Sequence, residues 1–129
     1  TATILDLPMG YVRSGHKDHG RQNQIEGKME PGTKVVVIED LISTGGSVLE
    51  VVDVLRQAGA QVLGIASIFT YGLQKGVERL AAADVVNYSL SDFDTLSKVA
   101  AAEGYIADKD IAKLTAFQKN PQNPAWMKL

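Results

Sequence analysis

Nine consecutive residues, Glu39-Asp40-Leu41-Ile42-Ser43-Thr44-Gly45-Gly46-Ser47, hold two adjacent carboxylates, three hydroxyls and two glycines. Carboxylates accept hydrogen bonds from the vicinal hydroxyls of a sugar, or hold a hard cation through water. Glycines let a backbone approach a ligand closely, and the free N–H groups and dipole at a helix N-terminus favour an anion. Together these groups suit a sugar phosphate. As composition alone, the same residues equally describe acids that end a strand and glycines that turn the chain. A second cluster, Gly10-Tyr-Val-Arg13-Ser-Gly-His16-Lys17-Asp18-His19-Gly20, places two His, two cations and one acid in eleven residues, with Arg21 next. Charge clusters are commonly solvated surface loops. A polyanionic leaving group, however, requires cations that a loop can bring and then withdraw.

Other phosphate-binding patterns fit poorly. A P-loop needs Lys before its Ser or Thr, where Gly46 stands, and a dinucleotide fingerprint needs three spaced glycines, where only an adjacent pair is present. Cysteine is absent, which removes disulfides and thiolate metal sites and fits a reducing cytosol, so a cytoplasmic location is expected.

The elements that position the first cluster follow from periodicity. Lys34 to Asp40 is a β-branched apolar run ending in two acids, the pattern of a strand buried in a parallel sheet. Val48, Val51, Val52 and Leu55 recur at helical spacing, Ser47 and Glu50 stand at the spacing of a capping box, and Gly59 offers a left-handed C-terminal cap. A second apolar run from Val62 to Phe69 completes a βαβ unit with a right-handed crossover. Gln74 to Ala82 reads as a helix and Val85 to Tyr88 as a third buried strand. Upstream, Met9 to Arg13 reads as a strand and Ser14 to Gln24 as a long polar loop. Downstream of Ser91, Phe93, Leu96 and Val99 or Ala100 form one helical stripe closed by Gly104, and Ile111, Leu114 and Phe117 form another, stopped at Asn120 to Pro124. This alternation predicts one α/β domain over 1–129, a doubly wound, mostly parallel sheet flanked by helices, with a helical tail over 92–129.

A chain of 129 residues, 45% apolar, suffices for one core. Its net charge of −2 supplies no field toward nucleic acid or an anionic membrane, so any anion site must be local. The longest apolar run falls far short of the roughly 20 residues of a spanning helix.

The full string Val35-Val-Val-Ile-Glu-Asp-Leu-Ile-Ser-Thr-Gly-Gly-Ser47 resembles the signature of type I phosphoribosyltransferases for 5-phosphoribosyl-1-pyrophosphate (PRPP). The Arg-x-x-x-Lys-Asp-His-Gly spacing from Arg13 resembles the catalytic loop of the orotate phosphoribosyltransferases within that family, and the resemblance extends from about Leu7 to the C-terminus. It implies the type I phosphoribosyltransferase fold and an Mg²⁺-dependent pentosyl transfer of pyrimidine biosynthesis, in which orotate and PRPP give orotidine 5-monophosphate and pyrophosphate. A purine-base phosphoribosyltransferase and a non-catalytic PRPP-binding regulator on the same fold are the alternatives.

The resemblance also assigns roles. Glu39 and Asp40 meet the ribose hydroxyls, at the C-terminal edge of the central strand and facing a cleft. Ser43, Thr44, Gly45, Gly46 and Ser47 wrap the 5-phosphate, and Ser43 also contacts orotate. Arg13, Lys17 and His19 contact the pyrophosphate, with Lys17, Asp18 and His19 as the catalytic group, and the loop acts across the interface of a homodimer. No direct protein ligand to the metal is implied. Three departures stand out. Ser14 replaces a second Lys, Phe69-Thr70-Tyr71-Gly72 lacks the Arg that binds the orotate carboxylate, and His16 matches no family role. The N-terminal hood over orotate is missing. A turn and a helix are expected between a Thr-Ala-Thr string and the Leu-Pro-Met strand, so Thr3 and Ile4 are not expected to be neighbours in the natural protein.

Overall fold

A computed structural model describes residues 1–13 and 24–129. Four residues of helix, α1 (Ala2–Leu5), open the chain, and Thr3 and Ile4 share this single turn. Two short antiparallel strands follow, β1 (Tyr11–Val12) and β2 (Ile25–Glu26). The body of the fold is β3 (Lys34–Ile42), α2 (Gly46–Gln57), β4 (Gln61–Thr70), α3 (Gln74–Ala82) and β5 (Asn87–Asp92). The tail adds α4 (Phe93–Ala102), α5 (Asp110–Lys119) and a 3₁₀ helix, Pro124–Lys128.

The β-branched run forms β3 because every second side chain can face one apolar layer. Strands β3, β4 and β5 are parallel and succeed one another in space as in sequence. Val37 pairs with Ile65, and both are buried beneath α2, where Val48 and Val52 are 1% exposed. Each such side chain stabilises the fold by roughly 1.5–3 kcal/mol. The row formed by Ile38, Ala66 and Tyr88 belongs to the opposite face, where Ile38 and Tyr88 are exposed. The expected parallel α/β sheet flanked by helices is present. Among the described residues its three strands advance in one direction, without the reversal of a doubly wound sheet, and β3, expected as the central strand, is an edge strand while β4 is central.

Two boundaries differ from expectation for physical reasons. Strand β5 begins at Asn87, not Val85. Val85 is a buried loop residue that closes the core after the left-handed Asp84 (φ 51°). The strand itself is polar because Asn87 and Ser89 hydrogen-bond the buried Ser67 of β4 at 2.9 and 2.5 Å. Helix α2 has Gly45 at its N-cap with φ 79° and no side-chain cap, so the expected capping box of Ser47 and Glu50 does not start it. Gly59, in contrast, has the expected left-handed backbone (φ 88°). It closes α2 in a Schellman motif, with bonds from Gly59 N–H to the Arg56 carbonyl and from Ala60 N–H to the Leu55 carbonyl. Among the described residues no helix is long and apolar enough to cross a membrane.

Candidate active site

Strand β3 carries the acids toward its C-terminal end, and the turn 43–45 hands the chain to α2. Ligands of open α/β sheets bind outside this carboxyl edge. Glu39, half-buried, lies in register with the buried Ser67, while Asp40 is exposed. Both carboxylates curl along the chain. Glu39 Oε1 accepts from the Asp40 N–H at 3.0 Å, and Asp40 Oδ1 accepts from the Leu41 N–H at 2.8 Å. Partial burial, and then the hydrogen bond shared with Asp40, pushes the Glu39 carboxyl above its ordinary range. That bond and the Leu41 N–H hold Asp40 below its own. One strand end thus presents two adjacent carboxyls whose proton affinities are shifted in opposite directions.

The turn is built for close approach. Gly45 is buried in a left-handed conformation, and because it offers α2 no side-chain cap, the first N–H groups of the helix keep their donors for a ligand. Ser43 and Ser47 are exposed and Thr44 is half-buried. The loop after β4 is fastened to the last residue of β3, since the Tyr71 N–H donates to the Ile42 carbonyl at 3.0 Å. Gln118 of α5 donates to the Tyr71 carbonyl at 3.0 Å.

Helix α3 supplies neighbours that sequence reading missed. A Cβ on Gly76 would lie 2.7 Å from the Ser43 carbonyl oxygen, so the helix meets the turn through bare backbone. One helical turn on, the Arg79 guanidinium donates to the Thr44 carbonyl at 3.3 Å. The available signal was a glycine inside an amphipathic helix. It costs about 1 kcal/mol against Ala and so marks a close approach.

Glu39, Asp40, Ser43, Thr44, Gly45, Gly46 and Ser47 therefore share one strand-turn-helix connection. Arg13 follows β1, where its side chain pairs with Glu26 of β2, both partly exposed. Lys17, Asp18 and His19 lie outside the described residues, as does most of the loop expected from Ser14 to Gln24. A cavity of about 260 Å³ between α4 and α5, lined by Phe93, Ser97, Lys98 and Leu114 among others, contains none of these residues.

Parallel strands followed at their carboxyl edge by a helix that starts at a left-handed glycine define a protein of the α/β class. A family model described as "Phosphoribosyl transferase domain" matches residues 1–99, and the chain belongs to that family. It is 59% identical over 123 residues to the orotate phosphoribosyltransferase of Bacillus cereus (strain B4264), an overlap of 95% of this chain and 59% of that protein. The chain thus spans about three-fifths of the length of the curated relatives it matches. Among solved structures, the orotate phosphoribosyltransferase of Aeropyrum pernix superposes with a TM-score of 0.68 at 32% identity, covering 82% of this chain and 57% of that one. The Mycobacterium tuberculosis H37Rv enzyme in complex with PRPP gives a TM-score of 0.57 at 25% identity, covering 67% and 48%.

Proposed function

We propose that this chain forms the PRPP-binding and catalytic part of an orotate phosphoribosyltransferase. The C1–O bond to pyrophosphate breaks, a ring nitrogen of orotate gives up its proton to solvent or to the departing pyrophosphate and bonds to C1, and orotidine 5-monophosphate and pyrophosphate leave. The observation that carries this reading is the glycine-started α2, without a side-chain cap, five residues after two exposed or half-exposed acids. High identity to relatives bearing that name supports orotate as the acceptor.

In this reading the ribose hydroxyls donate to Glu39 and Asp40, and the amides and hydroxyls of residues 43–47 hold the 5-phosphate, with Ser43 also beside orotate. Positive charge develops on C1 as pyrophosphate departs, so catalysis rests on stabilising the leaving group. Arg13, Lys17 and His19 do this, with Asp18 assisting loop closure or proton handling. Exposed ion pairs such as Arg13–Glu26 contribute about 0–1 kcal/mol, so a pyrophosphate can recruit Arg13 at little cost.

Bound Mg²⁺ would neutralise the pyrophosphate oxygens. The donor set fits a substrate-held ion. Asp40 is exposed and its carboxyl is held below its ordinary range, which suits a water-mediated contact to such an ion. A cytoplasmic homodimer, with the basic loop serving the partner's site, completes the proposal.

The test is a turnover assay with PRPP, Mg²⁺ and either orotate, adenine or guanine. Orotate alone should be consumed. Lys17→Ala should raise the barrier by about 2–4 kcal/mol, as loss of other charge-stabilising donors does, while PRPP affinity changes little. Transfer to a purine, or equal losses in turnover and affinity, would contradict these roles.

A further inference from the structure

We propose that Arg79, with Gly76, is a positioning residue for the 5-phosphate turn, an inference that rests on the phosphoribosyl reading of that turn. A peptide unit points its carbonyl and its N–H in opposite directions. If the carbonyls of a tight turn are held on one side, its amides must open to the other. Helix α3 holds two of them. Gly76 lies against the Ser43 carbonyl, where any Cβ would be 2.7 Å from the oxygen, and the Arg79 guanidinium donates to the Thr44 carbonyl at 3.3 Å. The two residues stand three apart and so occupy one helical face. Gly45, the left-handed N-cap of α2, sits directly opposite, with its own Cβ position 3.8 Å from the Cα and carbonyl oxygen of Gly76.

The consequence is a turn clamped from behind. Without the clamp, the Ser43–Thr44 and Thr44–Gly45 peptides can rotate, and an anion must then pay the ordering entropy on binding. Arg79 is half-buried, its Nη1 lies 3.5 Å from a Cβ position on Gly46, and its charge adds to the positive end of α2. It acts through the Thr44 carbonyl, so its loss should fall on the phosphate-bearing substrate and spare the base.

The experiment compares the full-length protein with Arg79→Met, Arg79→Lys and Gly76→Ala. Calorimetry with ribose 5-phosphate and with PRPP plus Mg²⁺ is combined with steady-state kinetics and thermal melting. Arg79→Met should weaken both phosphate ligands by about tenfold or more, the scale of a lost charge-assisted bond. The KM for orotate should stay within about twofold, a small fraction of that loss. Arg79→Lys should recover most of the affinity, and Gly76→Ala should weaken the same ligands by displacing the turn. Wild-type affinity in both Arg79→Met and Gly76→Ala would overturn the proposal. So would a melting collapse accompanied by equal losses for orotate and PRPP, which would make the role merely structural. If the wild type itself bound PRPP but transferred nothing to orotate, the acceptor assignment would fail and the clamp would stand. If it bound neither phosphate ligand, both would fall.

Discussion

Glu39 and Asp40 are adjacent carboxyls with opposed tendencies, and the sign of each sets a pH dependence. Glu39 binds its proton more tightly when folded, so its contribution to stability is present below its ordinary 4.5 and is lost as pH rises through the elevated folded value. Asp40 contributes above its ordinary 3.8, and that contribution is lost as pH falls through the depressed value. A protonated Glu39 has one acceptor fewer for a ribose hydroxyl, so PRPP affinity should decline in acid starting above the usual Glu range. Asp40→Asn removes a neighbouring charge that raises Glu39, and the carboxyl resonance of Glu39 should titrate at lower pH in that variant. A Glu39 titration unmoved by Asp40→Asn would show that the pair is uncoupled. The grouping of the two acids with the glycine turn was legible in the sequence because the motif is contiguous. Gly76 and Arg79 were not, because their partners are Ser43 and Thr44, more than thirty residues earlier, and only the docking of α3 brings them together.

At the scale of elements, glycines of similar backbone serve different ends. Gly45 (φ 79°) starts α2 in the turn after β3, while Gly59 (φ 88°) ends the same helix far from it, against Pro31. Ala at either position should cost roughly 1–2 kcal/mol by forcing a Cβ into left-handed backbone. Denaturant unfolding should show a loss for both, larger for Gly59→Ala, whose Cβ would also meet Pro31 at 3.1 Å, and only Gly45→Ala should also weaken PRPP binding. Weakened binding in both would mean that global destabilisation, not turn geometry, controls affinity. Helix α4 offers a control at an N-terminus that does carry a side-chain cap, where Asp92 accepts from the Thr95 N–H at 2.8 Å. Asp92→Ala should lower the melting temperature without changing PRPP affinity. Periodicity placed β3, β4 and α3 well because their apolar residues recur at fixed spacing. It misjudged β5, whose polar Asn87 and Ser89 satisfy the buried Ser67 and so hide the strand, and it assigned α2 a serine cap that the left-handed Gly45 displaces.

The C-terminal tail is tied to the sheet by a chain of aromatic rings. Phe69 at the end of β4 contacts Tyr71, then Phe93, Phe117 and Trp126, with centroids 5.2–6.1 Å apart. Such pairs add about 0.5–1.5 kcal/mol each beyond their burial, enough to couple the tail over 92–129 to the edge of the sheet that holds the site. The sequence showed the aromatic positions of α4 and α5 but not the 3₁₀ turn carrying Trp126, because Pro121 and Pro124 read only as stops. Trp126 is the sole tryptophan, so its fluorescence and the far-ultraviolet dichroism should report one coincident unfolding transition. Two separated transitions would make the tail an independent unit. The central claim, that the strand-turn-helix after β3 is the seat of a phosphoribosyl group, is tested most directly by titrating PRPP with Mg²⁺ into the full-length protein and its Glu39→Gln/Asp40→Asn variant. The account predicts stoichiometric binding by the wild type and a loss of about tenfold or more in the variant, the scale of lost charge-assisted bonds, with unchanged dichroism. Equal affinity in the two proteins would contradict it.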